Sequence, residues 1–279
     1  MTESKRRLVM GIINCTPDSF YTGSGTMPCC EALTALIERQ LEEGVDILDF
    51  GGCSTRPGSE PVSAEEEWSR VKAGLEVARE VCRARNQRPM LSVDTFRVEV
   101  ARRAIEEFGV GMINDVMGGQ YDAEMYRLIA ESGVQYVAMH MRGTPKTMQQ
   151  LTHYDDVVDE LRGWFEERTA EILSAGVCRE QILLDPGFGF AKRREQEYCL
   201  MAGLERIVEL GYPLLVGVSR KSMVTTPLGI SKEDALPATT ALHWELLRRG
   251  ATILRVHDVA AARQVVDLYN YYEKTAFER

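Results

Sequence analysis

Short apolar runs alternate along the chain with longer segments of mixed character. The runs cover residues 8–13, 45–50, 90–93, 110–113, 135–139, 181–184, 213–218 and 252–256. Helix-like stretches lie between and after them, at 31–43, 64–85, 98–108, 123–132, 155–175, 196–210, 234–249 and 260–273. In the first of these, Leu33, Leu36, Ile37 and Leu41 recur at the spacing that gives a helix one apolar face. Runs that are apolar throughout indicate strands covered on both sides, hence a parallel sheet with crossover helices. Gly44, Gly109, Gly133, Gly211 and Gly250 each stand just before a run, where a helix end calls for left-handed backbone. Eight such units predict an α/β fold, a (β/α)8 barrel forming a single domain over residues 1–279; a doubly wound open sheet is the competing architecture. No linker, low-complexity tract or helical-solenoid repeat interrupts the pattern.

Length and composition narrow this picture. At 279 residues the chain is long for an ordinary domain but normal for a barrel. A net charge of −9 argues against a nucleic-acid or anionic-membrane footprint. Any anion must therefore be met by a few local cations against the overall field. The seven cysteines are odd in number and contain no C-x-x-C pair. They suit reduced thiols in a cytosol, most of them expected to be small core fillers. The N-terminus lacks the apolar length of a signal peptide, and no run approaches the roughly 20 residues of a membrane span. A cytoplasmic protein is expected.

Polar residues follow every run. Asn14 follows the first, and Gly51, Gly52, Ser54, Thr55, Arg56 and Pro57 the second. Asp94 ends the third, Asn114-Asp115 the fourth, His140-Met141-Arg142-Gly143 the fifth and Asp185-Pro186-Gly187 the sixth. Ser219-Arg220-Lys221-Ser222 and then Arg255, His257 and Asp258 complete the set. One such residue is an ordinary cap or turn, but all eight strand ends loaded this way point to an enzyme, since barrel active sites lie at that end. Asp94, Asn114 and Asp185 offer donors and acceptors to a flat, nitrogen-rich heterocycle, while Lys221, Arg255 and His257 suit an oxyanion or phosphate ester. The backbone of the 219–222 segment is a further candidate for holding an anion. His140, His153, His243 and His257 show no zinc-ligand spacing. Trp68, Trp164 and Trp244 are expected as core anchors, and the charged 155–175 helix as a solvated face.

The residues at these ends resemble one family. Met10-Gly-Ile-Ile-Asn-Cys-Thr-Pro-Asp-Ser-Phe20 and Asp49-Phe-Gly-Gly-Cys-Ser-Thr-Arg-Pro-Gly58 look like the two opening signatures of the dihydropteroate synthases. Ser92-Val-Asp-Thr95, Ile113-Asn-Asp-Val116, Met139-His-Met-Arg-Gly143, Leu184-Asp-Pro-Gly187, Val218-Ser-Arg-Lys-Ser222 and Leu254-Arg-Val-His-Asp-Val259 follow in family order. The resemblance implies a bacterial-type pterin-binding barrel that joins a pterin pyrophosphate to p-aminobenzoate. It implies that Asp94, Asn114, Met139, Asp185, Phe190, Lys221 and Arg255 hold the pterin. Asn14, Thr55, Arg56, Ser219, Arg255 and His257 would meet the pyrophosphate, with Mg2+ on Asn14. Asp18, Phe20, Thr55, Arg56, Pro57, Phe188, Phe190, Lys221 and Ser222 would form the p-aminobenzoate side and its loops. Asp94, Asp185, Lys221, Arg255 and His257 would carry the chemistry. A homodimer and sulfonamide binding are likewise implied. The sequence departs from the family at Tyr21-Thr-Gly-Ser-Gly25, Met223-Val-Thr-Thr-Pro227 and Pro237-Ala-Thr-Thr240, where the proline suits the first turn of a helix.

Two other functions share parts of this pattern. A methyltransferase barrel acting on a reduced folate and a corrinoid protein would use Asp94, Asn114 and Asp185 alike, but has no need of the Ser-Arg-Lys-Ser and Arg-Val-His cations. A catalytically silent pterin binder would be expected to have lost Asp94 or Lys221, and both are present.

Overall fold

The computed structural model describes residues 7–16, 27–54 and 62–277. Asp18, Phe20, Thr55, Arg56 and Pro57 lie outside these residues. Eight parallel strands alternate with helices: β1 Leu8–Asn14, α1 Met27–Glu42, β2 Ile47–Gly51, α2 Ala64–Arg85, β3 Met90–Asp94, α3 Val98–Phe108, β4 Met112–Asp115, α4 Met125–Ser132 and β5 Gln135–Met139. There follow α5 Val157–Ser174, β6 Ile182–Asp185, α6 Arg194–Ala202, α7 Glu205–Val208, β7 Leu215–Val216, α8 Ser222–Leu228, α9 Leu236–Arg248, β8 Ile253–Val256 and α10 Val259–Phe277.

The ladder runs β6-β5-β4-β3-β2-β1-β8-β7. A parallel bridge between Leu184 and Leu214 joins its two ends. The sheet is therefore closed, and the open doubly wound alternative falls away. No helix among the described residues is long and apolar enough to cross a membrane.

Each strand buries both faces, as its apolar composition requires. Met10, Ile47, Met112, Val137, Leu183, Leu215 and Ile253 form one cluster, with Leu8 and Met90 packed against it. Every strand contributes to it, so it fills the barrel interior. The outward positions Val9, Leu48, Phe50, Ile113 and Leu184 join the larger core beneath the helices. Burying one such aliphatic side chain is worth roughly 1.5–3 kcal/mol.

Helix ends are set by local chemistry. Ser63 accepts from Glu66 N–H at the start of α2, and Asp156 accepts from Val158 and Asp159 N–H at the start of α5. The five glycines expected at helix ends all have positive φ. The proline at 237 does sit in the first turn of α9.

Several expectations need correction. The run 213–218 pairs as a ladder only over Leu215–Val216. Pro213 has no N–H to offer, and its carbonyl instead accepts from Leu184 N–H at 3.0 Å. The stretch 196–210 is two helices broken at Gly203, where a Cβ would meet the Val158 side chain at 2.7 Å. The 155–175 helix is solvated on one side only, since Val157, Val158, Leu161, Phe165 and Ile172 are buried. Among the described cysteines, Cys30, Cys178 and Cys199 are exposed and fill no core, whereas Cys15 and Cys82 pack partly buried against it and Cys53 is partly buried. Trp68 is a buried anchor, whereas Trp164 and Trp244 pack against the core without being enclosed.

Candidate active site

Side chains alternate along a strand, so the position two beyond each interior plug residue again faces inward, one layer nearer the C-terminal mouth. This places Asp49 above Ile47, Ser92 and Asp94 above Met90, Asn114 above Met112, Met139 above Val137, Asp185 above Leu183 and Arg255 above Ile253. The ladder sets neighbours beside one another, pairing Asp49 with Ser92, Asp94 with Asn114 and Met139 with Asp185. A polar floor thus caps an apolar plug.

Arg255 is the hub of that floor. Its Nε donates to Asp49 Oδ2 at 2.7 Å and its Nη2 to Asp94 Oδ2 at 2.7 Å. Asp49 is wholly buried and also accepts from Ser92 Oγ at 2.6 Å and Asn114 Nδ2 at 3.2 Å. Burial alone would weaken the Arg255 charge, but Asp49 and Asp94 outweigh it and raise the guanidinium pKa. Burial also raises the pKa of Asp94; Arg255 pulls it down, and Asp49, Glu67 and Asp115 push it back above the carboxylate range. Asn114 Oδ1 is buried with no hydrogen-bond partner. An acceptor left open beside a committed amide Nδ2 calls for a donor, such as an amino or ring N–H group.

Asp185 lies across the floor, with Oδ1 accepting from Gly187 N–H at 2.8 Å. Burial raises its pKa, against the Gly187 N–H, Lys221, Arg255 and Lys192, which lower it. Lys221 reaches in from the start of α8, its Nζ 4.9 Å from the Phe190 ring centroid and bonded to Phe188 O at 2.5 Å. Burial lowers its pKa to about 8, opposed chiefly by Asp185. Three carboxylates, Asp49, Asp94 and Asp185, thus share the floor with two cations, Arg255 and Lys221. Acids held in a poorly hydrated layer, Asp94 and Asp185 with raised pKa values, favour a heterocycle that brings N–H donors and positive charge to them. Val116, Met117, Met139, Met141, Met148 and Ala191 form an apolar wall beside it, with Phe96 and Phe190 against them.

At the mouth, His257 Nδ1 lies 3.2 Å from Ser219 Oγ, which also accepts from the His257 N–H at 3.3 Å. His257 is exposed at this rim; partial desolvation there, together with the Arg255 and Arg220 charges, lowers its pKa. Asn14 ends β1, in register with Gly51. Ser222 is exposed at the first turn of α8.

Asp94, Asn114, Met139, Asp185, Phe190, Lys221 and Arg255 are therefore brought together as expected, with Ser219 and His257 at the rim. Two expectations change. The Phe188 ring is fully buried in the outer core, so only its carbonyl faces the site and the ring lines no substrate surface. In the 219–222 segment, Lys221 N–H already donates to Val218 O at 3.1 Å. The Arg220 guanidinium is likewise committed, gripping both Asp258 oxygens at 2.8 and 2.5 Å. Asp49 is the residue the motif reading passed over. Its signal was present: an acid inside an otherwise apolar strand, at the same parity as Ile47.

The model of the family described as pterin binding enzyme matches residues 10–257. A dihydropteroate synthase of Synechocystis sp. is 39% identical over 262 residues, covering 94% of this chain and 88% of its own. A dihydropteroate synthase structure from Xanthomonas albilineans with 4-aminobenzoic acid superposes with a TM-score of 0.86 at 40% identity, over 96% of this chain and 93% of that one. The same organism's enzyme in complex with 7,8-dihydropteroate superposes at 0.83 with 38% identity, over 96% and 94%. The closed barrel, the carboxylate–arginine floor and these likenesses agree: the chain belongs to the pterin-binding enzymes and, among them, to the dihydropteroate synthases.

Proposed function

We propose that the enzyme condenses 6-hydroxymethyl-7,8-dihydropterin pyrophosphate with p-aminobenzoate, giving 7,8-dihydropteroate and pyrophosphate. The observation that carries this reading is the floor itself: a buried, unpartnered Asn114 Oδ1 beside three carboxylates and the Arg255 hub. The pterin edge would donate to Asn114 and Asp185, with its ring between Arg255 and the Met139 wall. Cleavage of the C–O bond leaves a pterin cation, which the negative floor favours. Asp94 and Asp185 then accept from the ring nitrogens more strongly than in the ground state. The aryl amine needs little base catalysis once the leaving group has gone. Its ring would sit at the rim by Phe190, Lys221 and Ser222, with Asp18, Phe20, Thr55, Arg56 and Pro57 supplied by the two loops. Ser219, Arg255 and His257 would meet the pyrophosphate.

No group of three or more His, Cys, Asp or Glu side chains among the described residues could hold a metal. A magnesium ion would be carried mainly by the substrate, since Mg2+ takes few protein ligands and several from phosphates and water. Asn14 would supply the protein's hard oxygen, and the ion when bound would neutralise charge on the departing pyrophosphate. We further infer a cytosolic homodimer: the free thiols fit a reducing compartment, and Leu268, Tyr271 and Tyr272 on α10 expose apolar surface to a second copy.

The test is pyrophosphate release from the pterin pyrophosphate with magnesium, with and without p-aminobenzoate, alongside product analysis. Release coupled to dihydropteroate is expected. Tight pterin binding without release would overturn the synthase assignment.

A further inference from the structure

The segment Gly187-Phe188-Gly189-Phe190 is held at several backbone polar atoms, mostly by charged side chains. Gly187 N–H goes to Asp185 and Phe188 O to Lys221, as described above. Phe190 N–H returns to Gly187 O at 3.1 Å. Two of its carbonyls, Gly187 O and Phe190 O, accept from one side-chain nitrogen, Lys192 Nζ, at 3.0 and 3.1 Å. Lys192 has a third partner in His140 Nδ1 at 3.1 Å. Three acceptors thus surround Lys192 Nζ, whose pKa burial lowers to about 7 against the opposing pull of Asp185 and Glu197.

Lys192 is only 5% exposed. Burial and the nearby Lys192 and Arg142 charges hold the His140 pKa well below its usual value, so the ring is neutral and its Nδ1 can accept. The grip opposes real strain. Gly187, Gly189 and Ala191 have φ of +68, +86 and +48, and for alanine that backbone is costly. Tyr154 Oη secures Ala191 O at 3.0 Å on the far side.

The segment is also the seat of Lys221. Besides its bond to Phe188 O and its place over Phe190, the Lys221 stem lies so close that a Cβ on Gly189 would be 3.2 Å from its Cδ. By contrast Asp49, Asp94, Asn114 and Arg255 stand on ladder-paired strands and do not depend on this segment. We propose that Lys192 is a positioning residue for the second substrate: by gripping Gly187 and Phe190 it sets the Lys221 ammonium and the Phe190 ring, and so shapes the p-aminobenzoate side of the pocket. This rests on the synthase reading given above.

The experiment compares the unaltered enzyme with Lys192→Met and Lys192→Arg. Steady-state constants are measured for both substrates, and pterin pyrophosphate affinity is measured directly without p-aminobenzoate. In Lys192→Met the KM for p-aminobenzoate should rise about tenfold or more, the effect of losing a charge-assisted hydrogen bond, while the pterin affinity moves less than about threefold. Lys192→Arg keeps the charge but its planar fork cannot meet three acceptors at one point, so it should show the same split more weakly. It also carries the test if the methionine variant fails to fold. A proportional loss for both substrates, or an unmoved KM for p-aminobenzoate in a folded variant, overturns the assignment. Absence of dihydropteroate formation by the unaltered enzyme would instead overturn the functional reading, and this inference with it.

Discussion

Replacing Asp49 with asparagine tests the logic of the floor most directly. The substitution keeps shape and one acceptor. Ser92 Oγ can rotate to accept from the new amide, leaving the amide oxygen to receive Asn114 and Arg255, so the packing survives. What disappears is one negative charge with its oxygen 2.7 Å from Arg255 Nε. Charges whose centres lie about 4 Å apart interact by roughly 4 kcal/mol at the effective dielectric of a protein site. Arg255 retains Asp94 and a neutral hydrogen bond worth about 1 kcal/mol, so a net loss of about 3 kcal/mol is expected. That corresponds to a roughly 150-fold fall in kcat/KM for the pterin pyrophosphate. Asp49 is also one of the charges that raise the Asp94 pKa. Removing it should let Asp94 ionise at lower pH, so the acid limb of kcat/KM against pH should move down. A continuous pyrophosphate assay across the pH range reads both effects. Unchanged kcat/KM together with an unmoved acid limb would refute the role assigned to Asp49.

The alkaline side and the rim give two more predictions. Lys221 is charged below its lowered pKa of about 8, so kcat/KM should fall as pH rises through that value; Lys221→Arg, which cannot deprotonate there, should lack that limb even where its rate is lower, and a limb that persists in the variant would exclude Lys221 as its source. Phe188→Ala should cost about 3–5 kcal/mol of stability in thermal unfolding, because the ring is a fully buried core side chain. Phe190→Ala should leave stability nearly unchanged and raise the KM for p-aminobenzoate; the reverse pattern would mean that the two rings have been assigned to the wrong sides.

Much of the site was legible before the fold was known. Asp94, Asn114, Asp185 and Lys221 each follow an apolar run, Arg255 stands out as the one cation within its run, and in a parallel barrel every strand delivers its C-terminal end to one mouth. Asp49 was harder, because it lies inside its run. Its importance depends on which neighbours the ladder brings beside it: Ser92 and Asn114 from the next two strands, and Arg255 from 206 positions away in sequence. Lys192 was still less legible, since a lysine soon after a strand reads as a solvated surface residue. Only the folded segment shows its ammonium enclosed by two carbonyls and an imidazole. The two phenylalanines, two positions apart, look equivalent in sequence, yet one turns into the outer core and the other stays at the pocket wall.

What the sequence determined by itself is periodic and local: the eight apolar runs, the amphipathic helices between them, the glycine helix ends and the polar groups at each strand terminus. These follow from hydrophobic burial and backbone geometry, which act over a few residues at a time. The tertiary structure alone decided that the ends of the sheet meet through Leu184 and Leu214, that β7 pairs over two residues, and that three carboxylates share one arginine and one lysine. Those outcomes depend on strand register and on contacts across the barrel. Charge, burial and pKa are set there by neighbours distant in the chain, whose positions no local period records.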